Sequence, residues 1–313
     1  MSTTVHRITL ASTEHFAGKL PPHWLGYLFA ELPVAVCAAV SMNLRNRSTM
    51  KGRTPAWLKR AADIRYVNHE GDGDTVLYFE APSLGEAAEE LYRQGELWPT
   101  RPDAADTGFD LLGDVLSEVE AGNVDSDRFD PSMLKRLTRF KRALAGPFQE
   151  AQIESRRYDV HHPARLSPLV IQAAERLYSE TPEPRRVRVV GVLDMLRASN
   201  QTLALKMDDG QEIRGTLIEG GIDRLAPLLQ SRIIVFGKAL FRPSGRLLRV
   251  DVDEFRTATD ADQFFAKTPK PMGSRRLTPL DHKVNAEALR AAFGQWPGDE
   301  TDEEIEAALK ELS

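Results

Sequence analysis

The sequence predicts an α+β protein. It reads as an N-terminal mixed α/β domain over residues 1–160, a helix and linker over 161–184, and a five-stranded β-barrel over 185–260; a linker over 261–282 and a helical C-terminal tail over 283–313 follow. Strand-like and helix-like patterns alternate through the first 160 residues. Five alternating apolar runs then crowd into about seventy residues, broken by one short helical stretch. Two proline-bearing segments, Ser179–Pro184 and Lys267–Arg276, separate the pieces. A chain of 313 residues is also too long for one compact core.

In chain order, His6–Ala11 alternates as a strand. The apolar run Trp24–Val40 carries Glu31 and Pro33, which argues against a bilayer span. Ile64–Val67 and Thr75–Phe79 flank Glu70–Gly73 as the arms of a hairpin. Ser83 with Glu86 forms a capping-box pattern, opening a helix that ends at Gly95. A further helix is expected over Asp110–Glu120. Asp130 is an N-cap followed by Pro131, and the helix it opens places Met133, Leu137, Phe140 and Leu144 on one face. A helix over Ser167–Tyr178 is halted by Pro182 and Pro184.

From Arg186 to Leu193 a strand contains Gly191. Thr202–Met207 alternates, Asp208–Gly210 turns the chain, and Glu212–Leu217 returns. Ile222–Leu229 is a short helix, Arg232–Leu240 a fourth strand with Gly237, and Leu248, Val250 and Val252 alternate along a fifth. Gly191 and Gly237 fall where a small barrel coils sharply. This order resembles the OB-fold; an SH3-like barrel is the structural competitor. The resemblance implies a ligand face on the second and third strands and on the loops after the first and fourth, Arg197–Gln201 and Phe241–Arg246. The residues expected to contact single-stranded nucleic acid there are Arg197, Lys206, Arg214, Arg242 and Arg246, with Phe241 as the stacking ring. Such barrels also serve as protein-docking or structural modules, and the fold does not decide between them.

Patterns for catalysis, metals and cofactors are missing. No His-Glu-x-x-His, Cys-x-x-Cys, Walker loop or Gly-x-Ser-x-Gly occurs. His161-His162 reads as an ordinary loop. Asp106-Thr-Gly108 matches the aspartic-protease tripeptide, but that chemistry needs two such loops sharing a proton. The single Cys37 lies in an apolar run, excludes an intrachain disulfide and suits a reducing compartment. The start, MSTTVHRITL, lacks a secretion signal, so a cytoplasmic location without membrane attachment is expected. An enzyme with an unfamiliar site would need a deep polar pocket in the first 160 residues.

Charge is distributed in blocks. Residues 103–130 hold nine acids and one base, Arg128. The basic segment 43–62 contains Trp57, read either as a phosphate-contacting loop or as one whose Trp57 and Leu58 enter the core. Lys135, Arg139 and Arg142 form the solvated face of their helix, which the preceding acids could neutralise. The net charge of −5 divides into −6 for Pro297–Ser313 and +1 for the rest.

In the tail, Thr301 and Glu304 form a capping box ahead of Ile305, Ala308, Leu309 and Leu312 at helical spacing. Phe293-Gly-Gln-Trp-Pro-Gly-Asp-Glu-Thr-Asp-Glu-Glu304 with this helix resembles the C-terminal segment of bacterial antitoxins paired with PIN-domain ribonuclease toxins. The resemblance implies a protein partner, such as a PIN-domain toxin, held by Phe293, Trp296, Ile305, Leu309 and Leu312. The chain is several times longer than such antitoxins, and its tail is acidic where a base often masks the toxin site. The leading expectation is a non-catalytic regulatory or binding protein docking a partner through this tail. A single-stranded nucleic-acid-binding barrel is the alternative, and an unrecognised enzyme the third reading.

Overall fold

The computed structural model describes residues 3–49, 54–71, 74–92, 101–198, 200–218 and 221–272. Contacts divide the chain into Met1–Arg275 and Arg276–Ser313. All the described residues belong to the first unit, so the tail anchors Phe293, Trp296, Ile305, Leu309 and Leu312 lie outside them.

The first strand, β1 (Thr3–Ser12), turns His6, Ile8 and Leu10 inward. It is followed by α1 (Pro22–Arg45), which starts with Pro22 at the position where a missing N–H costs nothing. Pro33 sits inside α1 on an exposed face, while Leu32, Val36, Ala39 and Val40 are buried. The helix is long and apolar enough to cross a bilayer by length and composition, yet 56% of its apolar window is buried inside the protein. Helix α2 (Ala56–Ala61) puts Trp57 and Leu58 in the core, the second of the two readings of that basic segment.

Strands β2 (Arg65–Glu70) and β3 (Thr75–Pro82) form the expected antiparallel hairpin. After it, α3 (Leu84–Ala87) and α4 (Glu89–Tyr92) replace the single expected helix, whose end at Gly95 lies outside the described residues. Ser83 makes no side-chain cap. The Leu84 and Gly85 amides donate instead to the carbonyls of Asp106 and Ala104, both at 2.7 Å. Helix α5 (Gly108–Glu120) is capped by Thr107 and Asp110. Asp130 caps α6 (Pro131–Leu137), which runs into a 3-10 turn, and Met133, Leu137, Phe140 and Leu144 are buried as the spacing requires.

Strands β4 (Phe148–Glu154) and β5 (Ala164–Leu166) complete an antiparallel sheet of order β2-β3-β1-β4-β5. Helix α7 (Pro168–Glu180) follows with Ser167 as its cap. One face of this sheet joins α1, α5, α6 and α7 in a single apolar core, a two-layer α+β arrangement.

The second part is a closed five-stranded barrel of β6 (Arg185–Arg197), β7 (Thr202–Lys206), β8 (Glu212–Leu217), β9 (Arg232–Phe241) and β10 (Leu247–Thr257). Around the ring the order is β10-β8-β7-β6-β9. Parallel pairing of Val250–Val252 with Gly215–Leu217 and antiparallel pairing of β9 with β10 complete it. The short α8 (Ile222–Leu225) lies between β8 and β9. This arrangement is compatible with an OB-like barrel. Its interior, from Val189 to Val252, is a core separate from that of the sheet. Gly237 is indispensable to it, because a Cβ there would overlap the Asp251 carbonyl oxygen.

Candidate nucleic-acid interface

The loop after β6 and the turn after β9 are the two segments expected to hold a ligand, and both are tied to the N-terminal part. Asn200 is buried and donates through Nδ2 to the Leu44 carbonyl at the end of α1, at 3.1 Å. Its Oδ1 accepts from Thr202 Oγ1 at 2.7 Å. Beyond β9, the Arg242 and Gly245 amides close a tight turn, with Gly245 at φ +84°. The Ser244 amide donates to the Val124 carbonyl at 3.1 Å.

The same docking brings two acids onto the barrel's bases. Asp127 accepts from Arg214 Nη1 at 3.2 Å and from Arg242 Nε at 3.1 Å, with a second, shorter contact from Arg242 Nη2. Asp125 accepts from the Ser244 hydroxyl and lies 3.5 Å from Arg246 Nη1. The acidic block 103–130 therefore reaches the barrel rather than only its own following helix. Beneath these exposed pairs lies a buried one: Arg249 Nη2 donates to Asp130 Oδ2 at 3.0 Å. Burial alone would push the Asp130 carboxyl up. The Arg249 charge and the donors Ser48 and the Met133 amide outweigh it and hold the pKa below the ordinary value.

Three clefts follow this seam. The first, about 240 Å³, is lined by Asn43, Leu44, Asn46, Arg101, Met195, Arg197, Asn200, Thr202, Leu203, Glu212 and Arg214. The second, about 810 Å³, shares Glu212 and Arg214 and adds Arg242, Arg246, Leu248 and Thr268–Pro271, with Lys270 as a further base. The third, about 600 Å³, shares Arg101 with the first and adds Pro102, Asp103, Asp106, Arg128, Arg156 and Arg157. The bases lining this row of adjoining clefts are Arg101, Arg128, Arg156, Arg157, Arg197, Arg214, Arg242, Arg246 and Lys270; the lining acids are Asp103, Asp106 and Glu212. Counting Asp114, Asp125 and Asp127, which pair with these bases from beside the clefts, nine bases face six acids and leave a modest positive excess.

Of the expected contacts, Arg197, Arg214, Arg242 and Arg246 are brought to one groove. Lys206 is exposed at the end of β7 but lines none of these clefts. Phe241 requires a correction: it is fully buried, so its ring offers no face to a base. Arg101, Arg128, Arg156, Arg157 and Lys270 join the groove without having been expected there. The pair Arg156-Arg157 is the accessible signal, whereas Arg128 is hidden as the lone base among nine acids.

The Asp106-Thr-Gly108 tripeptide is structural. Asp106 Oδ1 accepts from Arg156 and Arg157, and its Oδ2 accepts from the Asp103 amide and Arg157. Both oxygens are thus committed, and the side chain is 1% exposed. Asp110 is likewise saturated. Burial would raise its pKa, but the Ser155 hydroxyl and the Thr107 and Arg157 amides hold it below the ordinary value. Tyr158 donates to Asp114, and its phenol is pushed up to about 12, chiefly by burial. His161 and His162 are exposed, with both amides bound to Asp159. Among the described residues no group of three or more His, Cys, Asp or Glu is placed to hold a metal ion.

No protein-family model, curated protein or solved structure matches the chain, so the resemblance of the tail to antitoxins gains no support from relatives.

Proposed function

We propose that this chain is a nucleic-acid-binding protein that holds a sugar–phosphate backbone in the groove between its sheet-and-helix part and an OB-like barrel. The observation that supports the reading is that three clefts share Arg101 and Arg214 among their lining residues and gather nine basic side chains, against six acids that line them or pair with those bases from beside them. Guanidinium groups bind phosphate through paired donors, and contacts to phosphate position a strand without reading its sequence. Six of the arginines, Arg128, Arg156, Arg157, Arg214, Arg242 and Arg246, are paired with aspartates, so phosphate binds them in competition with those carboxylates.

The salt dependence of binding to labelled DNA and RNA tests the reading. Affinity should fall steeply with salt, and Arg242→Ala with Arg246→Ala should lower the log–log slope by about 0.7–0.9 for each phosphate no longer neutralised. Absence of binding to both nucleic acids at low salt would falsify it.

A further inference from the structure

Among the described residues lining it, the groove offers bases but no aromatic ring, while an exposed aromatic surface lies close along the chain. After β10, the 3-10 turn Asp260–Phe265 presents Phe264 with 77% of its surface exposed. The turn is firmly held. Thr259 and Asp262 cap it reciprocally, and Arg256 donates to both Asp262 oxygens at 2.7 and 2.8 Å. Phe265 meets Phe264 edge to face, with centroids 5.6 Å apart. Cations surround the pair: Lys267 Nζ lies 5.6 Å from the Phe264 centroid, and the Arg188 guanidinium lies 5.3 Å from that of Phe265. A large apolar ring held on a rigid support among cations suits a ligand with flat apolar faces and a polyanionic backbone.

The chain leads from this turn straight into the groove. Residues Thr268–Pro271, directly after Lys267, line the same cleft as Arg242 and Arg246, and Thr268 Oγ1 donates to Gln211 Oε1 of that cleft at 3.0 Å. Phe264 and Lys270 are six residues apart, at most about 20 Å of chain.

We propose that Phe264 is a base-stacking residue, and that the ligand of the groove is therefore a single strand. Duplex keeps its bases stacked internally and has none to give this ring, whereas an unpaired base stacks without regard to sequence. The proposal rests on the groove being a nucleic-acid site, and it assigns the ligand class that the groove alone leaves open.

Binding of the full chain to labelled oligothymidine and to duplex DNA of the same length tests it. The single strand should bind more tightly. Phe264→Ala should weaken it about thirtyfold, near the middle of the range for one stacked base, while leaving the salt slope and the duplex affinity unchanged. Phe264→Trp should restore binding. Ultraviolet crosslinking of oligothymidine should label the tryptic peptide Thr257–Lys267. If the wild-type chain binds the single strand but Phe264→Ala binds it equally, the stacking role is wrong and the groove stands. If neither nucleic acid binds, both readings fall. If Phe264→Ala abolishes self-association in light scattering and leaves binding unchanged, the ring belongs to a contact between two copies and the proposal is overturned.

Discussion

Arg249 and Asp130 meet at 3.0 Å with 2% and 1% of their side chains exposed, joining the last barrel strand to the cap of α6. Asp130 also accepts from the Ser48 amide and hydroxyl, and Arg249 Nε donates to Asp251 at 2.8 Å. Losing one partner of a buried pair costs far more than the pair contributes, because a charge stays in the interior. Asp130→Ala should destabilise the protein by about 3–5 kcal/mol, with part of the loss recovered when Arg249→Met is added. Denaturant midpoints check this. A loss below about 1 kcal/mol, the range of exposed pairs, would contradict it.

Asp127→Asn should act on binding rather than on stability. Asp127 is about half exposed, so its ion pairs with Arg214 and Arg242 contribute up to about 1 kcal/mol. Removing its charge releases two arginines of the groove. Nucleic-acid affinity should rise at low salt, with stability lowered by no more than about 1 kcal/mol. Weaker binding would mean that Asp127 supports these side chains rather than competes for them.

Gly237→Ala should disrupt the barrel. The overlap is with the Asp251 backbone, which no side-chain rotation relieves, so a cost of about 3 kcal/mol or more is expected. Gly191→Ala should be milder, since its nearest atom would be the Lys206 carbonyl oxygen at 3.0 Å. Thermal unfolding of the two variants should separate them in that order.

Acid should destabilise the fold in two windows. His6 is 2% exposed, and its ring nitrogens have no hydrogen-bond partner among the described residues. Burial lowers its pKa below 6.5, only partly offset by the Asp110 charge and the nearby Glu154 backbone. The unfolded chain then binds this proton more readily, so stability falls as pH drops below 6.5 towards the folded value, by up to about 1.4 kcal/mol per pH unit. Asp130 has the opposite origin but the same sign. Its depressed pKa adds stability above the unfolded value of about 3.9, lost as pH falls through the folded value. In pH-dependent unfolding, His6→Leu should flatten the first window and leave the second.

The barrel is legible in the sequence because its determinants are local: alternation along β7 and β10, the Asp208-Asp-Gly210 turn and the coiling glycines all lie within short windows. Helix α1 shows in the sequence only as an apolar run too interrupted by Glu31 and Pro33 to span a bilayer; its buried Leu28, Leu32, Ala35, Val36 and Ala39 fall at helical spacing, and Pro33 sits on an exposed face. The groove is half legible. Arg197, Arg214, Arg242 and Arg246 follow from barrel topology, but Asp127 reaches Arg242 across 115 residues, a pairing no local pattern encodes. Phe241 is misplaced by the sequence for a related reason: it ends β9 beside the turn that docks onto Val124. The tail anchors lie outside the described residues, so the structure leaves their docking role as the sequence states it.

The buried ion pair also imposes an order of events on a chain being made. Asp130 emerges 119 residues before Arg249. At 5–20 residues per second that interval is about 6–24 s. Throughout it the α6 cap holds a carboxylate whose counter-charge does not yet exist, and the barrel ring is open until β10 arrives. The sheet and its helices can gather meanwhile, but the full burial of the Asp130 carboxylate against its partner waits for β10, so the seam between the two cores closes after both have begun to form.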